Sequence, residues 1–225
     1  MILKDEFDSD IRWIFPTMII QTNVSDDDFE LISKEIDDSL VQQKSYVASN
    51  QIGNSPYFSN GKETRREIET EGYAINRSPK VSNYINDYSL NTLSKIVEQQ
   101  LEKYIDLNYP TIPNHLRSSL VLNSWLADYR DEKTYLLAHQ HETSFINVVY
   151  YHQMNGNRGG ELVLYPPNAH MNYMNPSQRS VFIKPKPGMM ILFPSWMNHA
   201  VNSFSTKHGE RRISISITCN FPKDE

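Results

Sequence analysis

Three histidines carry the most visible chemistry in this chain of 225 residues. His139 and His141 stand at i and i+2 at the end of a run that reads as a strand, Leu136–His141 (LLAHQH). Alternation along a strand puts both imidazoles on one face and turns Gln140 and Glu142 the other way. His199 follows far downstream, directly after Leu192–Asn198 (LFPSWMN). A His-x-His pair with a third His much later is the ligand set of a mononuclear metal held inside a β-barrel. Imidazole suits Fe, Zn, Cu or Ni, and three ligands on one side leave positions open for substrate and O2. Taken alone, the pair also fits ordinary polar residues at a strand end. His115, His152, His170 and His208 have no such spacing and read as solvated residues of loops and strand ends. Ser195 and Cys219 invite a nucleophile reading, but no base sits beside either in sequence, and both read as structural.

The elements that must position these residues fall into two halves. Trp13–Thr22 (WIFPTMIIQT), with Pro16 early in it, reads as a strand at a sheet edge. Ser25 precedes Asp26, Asp27 and Asp28, an N-cap followed by acids in a first turn, and Phe29, Ile32, Ile36 and Leu40 recur at helical spacing. A helix over about 26–43 follows, then polar loop from Lys44 to Gly72 with at most one hairpin. Leu93, Ile96, Val97, Leu101 and Ile105 mark a second helix over about 90–104. After Pro113 the pattern turns to β, with eight short runs: Ser119–Tyr129, Tyr135–His141, Phe145–Tyr151, Glu161–Tyr165, Ser180–Lys184, Met189–Phe193, Ala200–Phe204 and Arg212–Phe221. So many short strands predict a double-sheet jelly roll or a barrel, with the helices packed outside it.

Composition narrows the class. Hydrophobic residues make up 39% and charged residues 22%, the balance of a globular chain. Lys+Arg total 22 against Asp+Glu 27, so no basic footprint for nucleic acid exists. No apolar stretch approaches the roughly 20 residues of a membrane-spanning helix. Met1–Asp10 (MILKDEFDSD) is acidic and lacks the apolar core of a secretory signal. Cys219 is the only cysteine, which excludes an intrachain disulfide and a cysteine-held metal cluster and makes a reducing cytoplasm the default compartment.

The β half resembles the 2-oxoglutarate- and Fe(II)-dependent oxygenases, and among them the prolyl-hydroxylase-like group. Phe145–Tyr151 (FINVVYY) resembles that group's tyrosine-bearing strand and Arg158–Leu164 (RGGELVL) its Gly-Gly-Glu-Leu segment. Pro187–Gly188 leading into Ile191–Trp196 (ILFPSW) and His199–Val201 resembles its distal-histidine strand, and Glu210–Ser216 (ERRISIS) its Arg-x-Ser strand. The segments lie in family order over about residues 117–222. Phe15-Pro16-Thr17, with the His-x-His, Tyr-Tyr and Phe-Pro-Ser-Trp runs, is similar to a bacterial and phage subfamily of these oxygenases.

The resemblance implies a mainly β fold with flanking helices around a double-stranded β-helix of the jelly-roll or cupin type. Residues 116–225 would form that catalytic core, and residues 1–115 a helical support packed on it within one domain. It implies Fe(II), 2-oxoglutarate as co-substrate and O2, with His139, His141 and His199 as metal ligands. The family's first motif usually reads His-x-Asp or His-x-Glu; His141 stands at the carboxylate position here, and Glu142 would replace it only if the strand ended or bulged there. Three neutral imidazoles leave the metal at its full +2 charge, which favours a dianionic co-substrate. By the same resemblance Arg212 pairs with the distal carboxylate, because its planar fork binds a carboxylate bidentately and stays charged. Ser214 shares its strand face, Arg211 turns outward to solvent, and the hydroxyls of Tyr129 and Tyr151 reach the pocket. Trp125 reads as core, Asn123 as a polar contact without assignment, and Gly159 and Gly160 as a turn or bulge needing positive φ.

The reaction so implied is hydroxylation of a C–H bond in a protein or peptide side chain or a small metabolite, with no nucleic-acid or membrane partner. Two other readings stand beside it. One is a three-His dioxygenase of the cupin type that needs no 2-oxoglutarate. The other is a non-enzymatic jelly-roll binding or structural protein in which the histidines only pack.

Overall fold

Ile213, Ile215, Ile217 and Cys219 alternate along one strand with Arg212, Ser214, Ser216 and Thr218, and both sets are buried or half-buried. A strand with period-two side chains and cover on both faces must lie between two layers. The first set packs against helices, the second lines a cavity. This one strand therefore divides the molecule into a helical side and a hollow side.

The computed structural model describes residues 2–4, 10–12, 17–49, 76–77, 83–130, 133–141, 144–154, 158–166, 180–205 and 211–221. Their elements are β1 (Ile2–Lys4), β2 (Asp10–Arg12), β3 (Ile20–Asn23), α1 (Asp26–Ser49), β4 (Asn76–Arg77), α2 (Tyr84–Asp87), α3 (Asn91–Asn108) and α4 (Asn114–Arg117). Then follow β5 (Val121–Arg130), β6 (Lys133–His139), β7 (Ile146–Met154), β8 (Arg158–Gly159), β9 (Leu162–Leu164), β10 (Val181–Ile183), β11 (Met189–Pro194), β12 (His199–Ser205) and β13 (Arg211–Asn220). The larger sheet runs β3-β11-β7-β13-β5-β4, and the smaller β10-β9-β12-β6 with β8 also on β12. All these pairs are antiparallel. The two sheets form the expected double-stranded β-helix with helices on the outer face. Among the described residues no helix is long and apolar enough to cross a membrane.

The helices form where capping and periodicity agree. Ser25 Oγ accepts from the Asp28 N–H at 3.2 Å and donates to Asp28 Oδ2 at 2.6 Å, closing the start of α1. Ile32 and Ile36 of α1 and Leu93, Val97, Leu101 and Ile105 of α3 bury the shared apolar stripe against Ile146, Val148, Ile213 and Ile215. Leu90 cannot cap α3 with its side chain; Glu35 of α1 instead accepts from the Thr92 N–H at 2.8 Å and from Leu93 at 3.4 Å. One carboxylate thus fixes two helices to each other.

Four differences from the sequence reading have local causes. Helix α1 continues to Ser49 because Lys44–Ser49 contains neither Gly nor Pro to stop it; residues 50–72 of the expected loop lie outside the described residues. The four-residue helices α2 and α4 are too short to show a period. β3 is the edge strand expected early in the chain, but it begins only at Ile20, beyond Pro16. Strand β6 stops at His139, two residues before the predicted end, because His141 leaves the ladder and donates its N–H to the Ser195 carbonyl at 3.0 Å.

Candidate functional site

His139 closes β6 and His199 opens β12, and the two are direct partners across the antiparallel pair. Their ring centroids lie 4.3 Å apart. His141 comes in from outside the strand, 5.1 Å from His139 and 5.3 Å from His199. The donor atoms of the three lie within 4.8 Å of one another, so they could hold a metal ion. His139 Nδ1 is 2.8 Å from the Leu137 carbonyl, and His199 Nδ1 is 2.9 Å from the Met197 carbonyl. A carbonyl only accepts, so both Nδ1 atoms carry the proton and both Nε2 lone pairs are left for a metal.

Electrostatics keep His199 neutral. Burial pushes the His199 pKa down to about 3, and the neighbouring His139 and His141 add to the shift against the pull of the Met197 carbonyl. A neutral imidazole is the metal-binding form, so the site needs no proton released from His199. The donor set fits a borderline divalent ion such as Fe(II) or Zn(II).

The histidines open on a cavity of about 570 Å³ between the two sheets, within the usual size for a small-molecule site. Arg212 lies in its wall, only 2% exposed. Its Nη1 donates to the Gly160 carbonyl at 2.9 Å, and its guanidinium sits 4.4 Å from the Phe204 ring centroid and 5.7 Å from that of Tyr151. Gly160 has φ +79°, and a Cβ there would overlap Arg212 Nη1. Gly159 also has φ +79°, with the Ser203 carbonyl where its Cβ would stand. Both glycines adopt the positive φ expected, and Gly160 has the further task of making room for the cation.

Ser214 and Tyr151, both buried, line the same cavity, so their faces are those read from the strand pattern. Tyr129 lies opposite Arg212 in the β5–β13 register; its side chain lies outside the described residues, as does Glu142. Trp125 corrects its expectation. It lines the cavity, half-buried, with its ring 6.2 Å from His141, because its parity on β5 turns it inward while Leu126 goes to the helical core. Asn123, also half-buried, lies opposite Thr218 on β13.

His152 is a second correction. It lies within β7 on the helical face, 8% exposed, beside the Phe29 ring. Burial lowers its pKa, Arg211 lowers it further, and Asp37 raises it in opposition. Arg211 is half-buried rather than turned to solvent. His115 is exposed, while His170 and His208 lie outside the described residues. Cys219 faces the helical core, where burial pushes its thiol up to about 12, and Ser195 is fully buried, with its hydroxyl donating to Asn147 Oδ1 at 2.9 Å.

Asn147, Ser216 and Thr218 also line the cavity, and the sequence reading missed them. The signal was present as polar residues at period two, on the faces of Tyr151 and Arg212 within apolar strands.

Comparison with known proteins agrees with this fold. Residues 123–218 match the family model described as "Putative 2OG-Fe(II) oxygenase". No curated protein sequence matches the chain. Among solved structures, a prolyl hydroxylase from Trichoplax adhaerens, in complex with a peptide fragment of the hypoxia inducible factor oxygen degradation domain, is 17% identical. That match covers 90% of this chain and 83% of that one, with a TM-score of 0.57. AviO1 from Streptomyces viridochromogenes Tue57 is 10% identical over 93% of this chain and 92% of that one, with a TM-score of 0.52. An oxidoreductase of the 2OG-Fe(II) oxygenase family from Burkholderia pseudomallei, 14% identical with a TM-score of 0.35, covers 45% of this chain and 43% of its own length. The resemblance read from the β half is thus matched by the family model, whose members use Fe(II), 2-oxoglutarate and O2.

Proposed function

We propose that this chain is an Fe(II)- and 2-oxoglutarate-dependent oxygenase that hydroxylates a C–H bond. The observation that carries the reading is the meeting of three histidines and a buried arginine in one cavity. His139, His141 and His199 hold the metal on one side. Fe(II) with 2-oxoglutarate and O2 supplies the oxidising power for the hydroxylation.

The chain's own residues bind and orient. Arg212 pairs with the distal carboxylate of 2-oxoglutarate, since a buried carboxylate needs a fixed cation. Phe204 and Gly160 hold the guanidinium in place from two sides. Ser214, Tyr151 and Tyr129 complete the co-substrate pocket. Leu162, Val149 and Phe193 supply apolar wall that keeps water from the reacting centre. Residues 116–225 act as the catalytic core and residues 1–115 as its support. The substrate is a protein or peptide side chain or a small metabolite, the first being the class bound by the Trichoplax enzyme.

The test is anaerobic titration of the purified protein with Fe(II), with and without 2-oxoglutarate, following the visible charge-transfer band of the chelate. A band that needs both components supports the reading. A protein that binds metal but not 2-oxoglutarate favours the second reading, a three-His dioxygenase of the cupin type, which the meeting of three histidines among the described residues supports.

A further inference from the structure

Asn147 is 3% exposed and lies in the cavity wall. Its Oδ1 accepts from the buried Ser195 hydroxyl, which sets the orientation of the amide. Its Nδ2 is buried with no hydrogen-bond partner among the described residues. An unsatisfied buried donor is costly and calls for an explanation. Phe193 on β11 and Thr218 on β13 are its direct partners in register, and both line the cavity. Among the cavity's described lining residues Arg212 is the only Lys or Arg, and it stands six residues along β13 from Thr218.

That separation decides what the donor is for. At about 3.3 Å per residue, six residues of strand span roughly 20 Å. A five-carbon diacid anchored on Arg212 ends well short of Thr218 and Asn147. The donor lies on the His141 side, since Ser195 bonds both Asn147 and the His141 backbone. We infer that Asn147 Nδ2, with the Thr218 hydroxyl opposite it, forms a second subsite that takes a neutral carbonyl oxygen of the primary substrate. The chemical class is a carboxamide, as in a peptide or blocked amino acid, because a lone amide donor between Phe193 and Thr218 offers no charge to a carboxylate. This rests on the oxygenase reading for the word substrate; the subsite itself rests on the donor and the cavity.

The test uses full-length protein loaded anaerobically with Fe(II) and 2-oxoglutarate, titrated calorimetrically with N-acetylglycinamide and, separately, with the anionic N-acetylglycine. The wild type should bind the amide at least tenfold more tightly than the acid. Asn147→Leu should weaken amide binding tenfold or more, with metal content and 2-oxoglutarate affinity within about twofold of wild type. If Asn147→Leu is insoluble, Asn147→Asp keeps the acceptor for Ser195, removes the donor and should show the same loss. Equal amide affinity in wild type and variant, including none in either, overturns the subsite. So does an acid that binds as tightly as the amide. Metal and 2-oxoglutarate binding are read on the same samples, so their failure alongside intact amide discrimination would reject the oxygenase and keep the subsite.

Discussion

Arg212 and Gly160 occupy each other's space: Nη1 donates to the Gly160 carbonyl at 2.9 Å and fills the position a Cβ of residue 160 would take. Gly160→Ala therefore strains a backbone at φ +79° and displaces the guanidinium together. We expect 2-oxoglutarate affinity to fall on the order of tenfold while metal content is kept. Unchanged affinity on the anaerobic metal-loaded protein would show that Arg212 does not need this seat.

Removing the cation itself should do more. Breaking a buried ion pair costs about 3–5 kcal/mol, a loss of affinity on the order of a hundredfold or more. Arg212→Ala should show that loss by calorimetry. Arg212→Lys should recover only part of it, because an ammonium lacks the planar fork. Arg211→Ala, on the opposite strand face, should leave affinity within about twofold. Metal binding should survive in all three, and an Arg212→Ala protein that binds 2-oxoglutarate normally would remove Arg212 from the pocket.

Metal content separates the ligands. His199→Ala and His141→Ala should each lose stoichiometric Fe(II), or Zn(II) as surrogate, while Glu142→Ala keeps it. The reverse pattern for the last two would mean that a carboxylate completes the site. His141→Asp should keep metal and lower its net charge, which weakens 2-oxoglutarate binding.

Acid should act on the helical side of the sheet through His152. Its folded pKa lies below its ordinary 6.5, because burial and Arg211 outweigh Asp37. Below pH 6.5 the unfolded chain takes up this proton more readily than the folded one, so stability is full above 6.5 and is lost as pH falls beneath it. His152→Phe should reduce that slope, leaving the part that His199 contributes, in urea unfolding of the metal-free protein followed from pH 7.5 to 5. Parallel slopes in wild type and variant would assign the acid sensitivity elsewhere.

Glu35 tests the helical layer. Glu35→Ala removes the acceptor for the Thr92 N–H at the start of α3 and should cost about 1 kcal/mol in urea unfolding. Metal content and 2-oxoglutarate affinity should stay unchanged, since Glu35 lies on the far side of the larger sheet.

What could be read from the sequence was local and periodic. Alternation put Arg212 and Ser214 on one strand face with Arg211 on the other, and His139 and His141 on a common face, before any partner was known. Helical spacing located α1 and α3, and the order of the β runs, with the resemblance they carry, pointed to the double-stranded β-helix. Facing is a property of one strand, so parity alone decides it. What lay beyond the sequence depends on register between strands far apart in the chain. Only the β6–β12 pairing sets His139 opposite His199, and only the Ser195 carbonyl brings in His141 after its strand has ended. The fit of Gly160 around Arg212 and the unsatisfied amide of Asn147 have the same origin. Each is a contact between elements whose relative placement comes from packing two sheets and a helical layer, which no single segment encodes.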